Sequence, residues 1–490
     1  MTTGTDRIAL HPYLDDAGPL GGYVDGGWAA SHGEPVAVED PATRSRLATI
    51  HDATEADVAQ AVASARAAYT GGWRDARPVH RAQVLFQIAA AIRQQAPALA
   101  RLETLDTGKP LRQSRSDVAT AARYFEFYAG AADKVYGQTI PGEGDYWSYT
   151  LREPYGVVAH VTPWNSPISQ MCRGVAPCLA VGNTVVVKPS EITPLSSLVA
   201  ARLFVEAGLP PGACNVIAGR GPTAGAALVR QPDVAHVAFT GSVPTGREIL
   251  RMAADRIIGA QLELGGKSPT IILPDADMQA AVRAGAMAVV RNAGQSCFAT
   301  TRLLVHRLIE AEYTQRLAEA VAHLSVGPGL DDPDLGPVAS ARQLRTVMAA
   351  IESGRADGAT VAVGGTRPDG LDGYFVTPAV LTGVRNEMAV ARQEIFGPVQ
   401  TVIAFDDVDE AVALANDSAY GLAAGVFTRD IGTAHRLARQ LEAGQVQING
   451  YPLGGVETPF GGYKNSGLGR EKGLAALEHY TQLKTIIVSN

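Results

Sequence analysis

One cysteine, Cys297, lies in the stretch GQSCFATTR of residues 294–302. A structural cysteine usually lies among aliphatic neighbours and behaves as a small hydrophobic residue. Here its neighbours are small or carry hydroxyl groups, and Gly294 permits a turn that most residues resist. The pattern indicates a nucleophilic thiol at the bottom of a cleft, although these nine residues alone also fit a buried, inert cysteine.

A single carboxylate, Glu263, stands between leucines in LELGGK, residues 262–267. Apolar surroundings raise the pKa of a carboxylic acid and make it a better base near neutrality. The alternative is a structural ion pair with Lys267 or with a more distant partner.

An amide donor, Asn165, ends the turn TPWN of residues 162–165, directly after a predicted strand. A fixed side-chain N–H is what a developing oxyanion needs. Asn165 could instead cap the next helix.

Two further segments favour a phosphate-containing cofactor. Lys188 ends a strand in VVVKPSE, residues 185–191, and a glycine turn with Gly241 and Gly246 joins a strand to a helix. Backbone N–H groups at such a turn can bind a pyrophosphate. A lysine at a strand end is often only solvated, and the glycine spacing is not that of the usual dinucleotide fingerprint.

Together these residues predict one reaction. The Cys297 thiolate adds to an aldehyde, and Asn165 and the backbone N–H of Cys297 hold the oxyanion. A hydride then passes to a nicotinamide, and Glu263 activates water to cleave the thioester.

Alternating strands and helices must position these groups. The pattern over residues 156–264 predicts a parallel sheet with helices on both faces, and a second such block runs from 269 to 448. Ligands of such sheets bind at the carboxyl ends of the strands. Upstream, we expect a helix capped by Thr54 and Asp57, a helix over 80–102 and a third over 118–132. Residues 135–153 are predicted to be extended, as a surface hairpin or as an arm that pairs with another chain.

Composition excludes several classes of protein. The 490 residues carry a net charge of −7, which argues against a nucleic-acid partner. Residues 1–10 have no signal-peptide pattern, and no apolar run is long enough to span a membrane. Cys172, Cys178, Cys214 and Cys297 form no metal-ligand spacing, so we expect no metal, reduced thiols and a cytoplasmic location.

At this point the chain resembles the aldehyde dehydrogenase superfamily over residues 23–488. Seven motifs occur in the family's order: TPWN, KPSE, FTGS, LELGGKSP, GQSC, EIFGPV and PFGGYK. Cys297 follows Glu263 by 34 residues, the spacing of hydrolytic members. The resemblance implies an α/β fold with a Rossmann-like parallel-sheet cofactor domain, an α/β catalytic domain and a small β oligomerisation arm. The implied boundaries are 1–134 with 154–262, 263–465, and 135–153 with 466–490.

The resemblance also implies the cofactor, NAD, and a homodimer or homotetramer. A carboxylate at Glu191 would oppose the 2′-phosphate of NADP, which Ser190 could still accept weakly. The implied cofactor contacts are Val161, Thr162, Pro163, Trp164, Lys188, Ser190, Glu191, Gly221, Gly225, Phe239, Gly241, Ser242, Thr245, Leu264, Glu394 and Phe396.

The chain departs from the family pattern at Arg173 and Gly174, where many members have an aromatic residue and a lysine. That lysine is thought to move protons with a glutamate, here Glu471, so this route is in doubt. The aldehyde funnel is predicted to be lined by Ser166, Ser169, Arg173, Arg291, Ser296, Phe298, Tyr451 and Phe460. The aromatic residues favour a hydrophobic or aromatic aldehyde. The arginines could recognise a carboxylate, but we expect surface ion pairs.

Two other functions compete with this one. In a CoA-acylating relative, CoA cleaves the thioester, and such relatives commonly lack the base that Glu263 provides. In a silent dinucleotide-binding protein the fold would remain without the reaction. The intact set of Cys297, Glu263 and Asn165 argues against it.

Overall fold

The computed structural model describes residues 10–15 and 20–489. The absence of a signal pattern was predicted for residues 1–10, most of which lie outside the described residues. The part that is described contains no helix long and apolar enough to cross a membrane.

The first of two large sheets carries the amino-terminal block. In the described residues its eight strands run in the order Gly27–Ala29, Gly22–Val24, Cys214–Ile217, Thr184–Lys188, Val157–Val161, Val234–Thr240, Gly259–Glu263 and Gly467–Leu468. The five central strands are parallel, and the outer pairs are antiparallel. Runs such as Val185–Val187 are fully buried because helices cover both faces.

The second sheet carries the block that contains Cys297. Its seven described strands run in the order Thr360–Val363, Ala379–Thr382, Val399–Phe405, Arg302–His306, Pro269–Ile272, Ala423–Phe427 and Gln445–Ile448. Only the first pair is antiparallel. The α/β fold with two parallel sheets is thus confirmed.

A third, antiparallel sheet joins the predicted arm to the end of the chain. Tyr146–Pro154 pairs with Thr139–Ile140 and, over nine residues, with Thr481–Ser489. The excursion is therefore not an isolated hairpin. Two short pairs complete the strands, Pro35–Glu39 with Arg46–His51 and Tyr420–Gly421 with Tyr463–Lys464.

The described helices connect these strands. The α-helices are Pro12–Asp15, Glu55–Ala68, Pro78–Gln94, Ala96–Thr107, Leu111–Ala131, Pro167–Ala180, Leu195–Glu206, Ala226–Arg230, Val243–Ala254, Met278–Val290, Glu310–Ala322, Ala341–Ala356, Ala389–Arg392, Val408–Asn416, Ile431–Gln440 and Ala475–His479. Short π-helical turns occupy Tyr69–Trp73 and Gly221–Gly225. Short 3-10 turns occupy Arg291–Gly294 and Gly329–Asp331.

Local sequence signals predicted some helix ends correctly but not others. Thr54 and Asp57 form the predicted capping box. The prediction of one helix over 80–102 is wrong, because the helix is interrupted at Gln95. A new helix begins after it with Pro97 in its first turn, where no N–H is needed. The third helix begins at Leu111, not at 118, directly after Pro110.

A strained loop delivers Cys297 to the amino edge of the second sheet, just before strand Arg302–His306 begins. Asn292 and Ala293 both have φ of 50°, and Gly294 has φ of 70°. A Cβ on Gly294 would lie 2.2 Å from the carbonyl oxygen of Gly397. Left-handed backbone is costly for residues with a side chain, and such strain tends to cluster at functional sites.

We expect Gly294→Ala to destabilise the protein more than Gly358→Ala does. Gly358 also has positive φ, 96°, but a Cβ there would meet nothing within 4 Å. The control therefore reports the left-handed strain alone, about 1–2 kcal/mol. Gly294→Ala adds the clash with Gly397, typically about 1–3 kcal/mol. Thermal unfolding of both variants checks this, and equal midpoints would contradict it.

Candidate active site

Cys297 and Asn165 lie on the wall of one cavity of about 560 Å³. Seven of the eight residues predicted to line the aldehyde funnel also line it: Ser166, Ser169, Arg173, Arg291, Ser296, Phe298 and Phe460. Tyr451 does not line the cavity and lies behind it, with its ring 5.9 Å from the ring of Phe298. The structure therefore brings seven of the predicted pocket residues together on one cavity wall.

The Cys297 thiol is in a poorly solvated position. Burial raises its pKa to about 12, while the positive charge of Arg173 acts in the opposite direction and the carboxyl of Glu263 reinforces the rise. The resting thiol is therefore protonated at neutral pH. Any change that brings positive charge closer, or removes negative charge, favours the thiolate.

Asn165 is held by three contacts around the turn that follows strand Val157–Val161. Its side-chain nitrogen donates to the carbonyl of Gln295 at 2.9 Å, and its own carbonyl accepts from Asn292 at 2.6 Å. Its carbonyl also accepts from the Lys109 ammonium at 2.9 Å. Ser166, not Asn165, is the N-cap residue of helix Pro167–Ala180. The helix-capping alternative for Asn165 is therefore wrong.

Glu263 ends a strand of the first sheet and is 1% exposed. Its carboxylate accepts a hydrogen bond from Gln261 at 3.3 Å and forms no ion pair with Lys267 among the described contacts. Burial raises its pKa well above the usual range, and the charge of Glu471 adds to that rise. Arg173 opposes both effects.

Arg173 and Glu471 form a buried ion pair beside these two groups, 7% and 2% exposed respectively. The expectation of surface ion pairs is therefore wrong for both arginines, because Arg173 is paired in the interior and Arg291 forms no ion pair with any described residue. Arg173 also contacts the hydroxyl of Thr240 at 3.4 Å. Burial raises the pKa of Glu471, and the ion pair with Arg173 lowers it.

The glycine at position 174 is explained by the lack of space for a side chain there. A Cβ at this position would lie 2.1 Å from the ring of His160, a buried side chain on the neighbouring strand. The imidazole therefore fills the space into which a side chain at position 174 would have to point. Burial lowers the pKa of His160 to about 3, so this ring stays neutral.

The predicted cofactor contacts lie at the carboxyl ends of the first sheet. Four of them lie at or beside the ends of adjacent parallel strands: Val161 and Lys188 are last residues, Phe239 is the last but one, and Leu264 follows its strand. The alternative of a merely solvated lysine is wrong, because Lys188 is 2% exposed and donates to the carbonyl of Gly219 at 3.0 Å. Its ammonium lies 3.6 Å from the Glu191 carboxylate.

The remaining predicted contacts complete this edge. Ser242 caps the helix Val243–Ala254 by accepting from the backbone of Thr245 at 3.4 Å. The ring of Phe396 lies edge-on to Trp164 at 5.1 Å. The others along the edge are Thr162, Pro163, Ser190, Gly221, Gly225 and Gly241, which lie in the connections that follow its strands.

Glu394 reaches this edge from the second block. Its carboxylate accepts the backbone N–H of Gly266 at 3.1 Å, and burial raises its pKa to about 7. A Cβ on Gly266 would lie 2.4 Å from the carbonyl oxygen of Cys297. Gly266 is therefore required because the cysteine loop passes directly over it, and Gly265 because a Cβ there would meet the Glu394 carboxylate.

Comparisons with known proteins agree with this arrangement. The model of the aldehyde dehydrogenase family matches residues 28–486. This chain belongs to that family. An aldehyde dehydrogenase of Aspergillus niger is 43% identical over 471 residues, 96% of this chain and 95% of the relative. A betaine aldehyde dehydrogenase of Cereibacter sphaeroides is 45% identical over 458 residues, 93% of this chain and 94% of the relative.

Solved structures of the family have the same fold. The NAD⁺ complex of an aldehyde dehydrogenase from Bacillus cereus superposes with a TM-score of 0.95 at 42% identity, covering 99% of each chain. The resemblance inferred from the seven motifs is confirmed, and with it the class of the enzyme, an oxidoreductase that acts on aldehydes.

Sequence reasoning missed the residues that hold the aldehyde dehydrogenase site together. Lys109 is 2% exposed, and its ammonium lies 2.6 Å from Asp117 and 3.5 Å from Glu103. Lys472 and Gln445 also line the cavity. Nothing in the local sequence marks Lys109, because its contact to Asn165 spans 56 residues.

We expect Lys109→Met to lower kcat by about 100-fold, because the turn that carries Asn165 loses a donor and small displacements of reacting groups are costly. The buried carboxylate of Glu103 and the half-buried carboxylate of Asp117 would also lose their partner, at a cost of about 3–5 kcal/mol of stability. Lys134→Met, at an exposed lysine paired with Asp133, is the control for both measurements. Steady-state kinetics on folded protein with an unchanged kcat would contradict the role of Lys109.

Proposed function

We propose that this protein oxidises an aldehyde to the free carboxylic acid through a thioester on Cys297, with NAD as the oxidant. One aldehyde, one NAD⁺ and one water give one acid, one NADH and one proton. The observation that carries the proposal is the convergence of Cys297 and Asn165 on one cavity, with the buried Glu263 carboxyl close enough to shift the thiol pKa.

The carboxyl edge of the first sheet fits NAD. The Thr162 hydroxyl is buried without a hydrogen-bond partner, and a Cβ at Gly221 would meet nothing within 4 Å. These residues would hold the dinucleotide, with Lys188 and Glu191 at the ribose and Glu394 and Phe396 at the nicotinamide end. When bound, NAD accepts the hydride. A carboxylate at Glu191 favours the 2′-hydroxyl over a 2′-phosphate.

Formation of the thiolate is the first task of the protein. Burial holds the pKa of Cys297 at about 12, so the proton must leave to a neighbouring base. Arg173 is the cation that lowers the thiol pKa, and it stands where many members of the family have an aromatic residue. In this chain, therefore, a paired guanidinium assists the nucleophile electrostatically.

The oxyanion that forms on addition is stabilised by Asn165 and the backbone N–H of Cys297. An asparagine amide has two N–H groups. One already donates to Gln295 at 2.9 Å and fixes the orientation of the side chain. The second is available to the oxyanion, since the side chain lies on the cavity wall.

Glu263 acts on water in the second half of the reaction. A carboxyl with a raised pKa is a strong base when it is ionised. Gln261 donates to Glu263 at 3.3 Å, which favours the ionised form of the base. Glu471, whose charge raises the pKa of Glu263, is the proposed acceptor of the proton, since no lysine stands at position 174. Retention of Glu263 also argues against cleavage of the thioester by CoA.

The organic part of the aldehyde lies against aromatic walls. The ring centroids of Phe298 and Phe460 are 5.9 Å apart, and Tyr451 backs Phe298. These rings support a hydrophobic or aromatic substrate body.

The proposal extends to the assembly. The three-stranded sheet leaves Trp147 47%, Leu483 59% and Ile487 67% exposed. Exposed apolar side chains of this size commonly mark an interface. This supports a homodimer or homotetramer, with residues 135–153 and 466–490 as the oligomerisation domain, 1–134 with 154–262 as the cofactor domain and 263–465 as the catalytic domain.

We expect Glu263→Gln to retain hydride transfer and lose hydrolysis. Rapid mixing with an aldehyde and NAD should give a burst of NADH equal to the active sites, followed by a steady state slowed by about 100-fold or more, because a general base typically contributes about 10²–10⁴-fold. Cys297→Ala is the control and should give no burst while it still binds NAD. Unchanged steady-state turnover would remove Glu263 from this role, and no burst on any aldehyde with the parent enzyme would favour a silent binding protein.

We expect kcat/KM to be higher with NAD than with NADP, and Glu191→Gln to reduce this ratio by about 10-fold, the effect of about 1.4 kcal/mol of lost repulsion. Glu248→Gln, at an exposed carboxylate paired with Arg251, is the control. Initial rates with both cofactors give the ratio, and a parent enzyme that prefers NADP would contradict the assignment of Glu191.

A further inference from the structure

Three cationic side chains converge on the aromatic wall of the cavity. The guanidinium carbon of Arg291 lies 5.6 Å from the centroid of Phe298, and that of Arg173 lies 5.6 Å from the centroid of Phe460. The Lys472 ammonium lies 5.7 Å from the same Phe460 ring. Because the two rings are neighbours, the three charges form one group, which we call the cationic wall.

Two members of the cationic wall have no ion-pair partner. Within the described residues, no carboxylate lies within 4 Å of the charged groups of Arg291 or Lys472, whereas Arg173 is paired with Glu471. Of the two acidic residues on the cavity wall, Asp117 is paired with Lys109. The other, Glu457, is exposed and acts on Lys472 only from beyond ion-pair distance.

The like charges repel one another in a partly desolvated setting. Burial lowers the pKa of Lys472 to about 8, and the charges of Arg173 and Arg291 contribute to this lowering against the opposing effects of Glu457 and Glu471. Placing unpaired cations side by side away from water is unfavourable unless an anion joins them. A bound anionic group would supply the missing partner.

Resting on the proposed function, we propose that the aldehyde carries an anionic group, of the carboxylate type, at the end remote from its carbonyl, and that Arg291 and Lys472 bind this group with Arg173 beside them. The carbonyl would face Cys297 while the body of the substrate lies against Phe298 and Phe460, on the wall of the same cavity. A cavity of about 560 Å³ accommodates a ring-sized molecule with a carboxylate.

The same wall disfavours a cationic aldehyde. A quaternary ammonium group, such as that of betaine aldehyde, binds where aromatic faces are free of competing cations. Here both rings already lie beneath cationic side chains. We therefore predict a substrate of opposite charge to betaine aldehyde, the compound for which the Cereibacter relative is named.

The test compares three aldehydes that share one benzaldehyde core and differ in the para group: carboxylate, methyl or trimethylammonium. Their kcat/KM values on the parent enzyme should decrease in that order after correction for intrinsic reactivity toward a free thiol. Arg291→Met should reduce the carboxylate-to-methyl ratio by about 10-fold or more, as expected for a hydrogen bond to a charged group. Arg291→Lys should restore part of the ratio.

Arg283→Met is the matched control, because Arg283 is exposed on the helix that leads to Arg291 and does not line the cavity. Its ratio should stay within about twofold of the parent. A parent enzyme that prefers the methyl or trimethylammonium compound, or a ratio that Arg291→Met leaves unchanged, would overturn the proposal.

Calorimetric binding to Cys297→Ala keeps this test separate from catalysis. Tighter binding of the carboxylate than of the methyl compound, abolished by Arg291→Met in the same background, supports the anion site even when turnover is absent. Equal binding of the two compounds overturns the anion site while turnover of the parent enzyme upholds the proposed function.

Discussion

The structure around Cys297 depends on the compensation of buried charge. Arg173 and Glu471 are almost fully enclosed, and neither could remain ionised there without the other. Burial raises the pKa of both Glu263 and Cys297; the charges of both partners act on Glu263, whereas Cys297 responds to the charge of Arg173. A buried pair of this kind contributes little net stability, and its value here is the field that it creates.

The same constraint operates on the other side of the cavity. Lys109 is enclosed with Glu103 and Asp117, and its third donor reaches the carbonyl of Asn165. The same ammonium group therefore neutralises the carboxylates and positions the Asn165 turn. The cationic wall is the exception, since Arg291 and Lys472 have no such partner among the described residues. These uncompensated positive charges, on a cavity wall where the other charges are paired, indicate that the substrate supplies a negative charge.

Sequence patterns predicted what depends on local or motif-scale information. The capping box of Thr54 and Asp57 and the alternation of strands follow from neighbouring residues, and the seven motifs were enough to identify the family. The strands Thr360–Val363 and Ala379–Thr382 are hard to predict from sequence, because four residues carry too little periodicity. The break at Gln95 was missed because the apolar pattern continues across it. The burial of Arg173 and the role of Lys109 could not be predicted, since each depends on a partner far away in the chain.

The close approach of Gly266 to the carbonyl of Cys297 has a consequence for how this enzyme can diverge. The segment that follows Glu263 and the loop that carries Cys297 touch through main-chain atoms, with no side chain between them. The separation of the two groups is therefore fixed by backbone, while the far wall of the cavity is made of interchangeable side chains. Side chains on the far wall can therefore be substituted for new aldehydes without changing the distance between base and nucleophile.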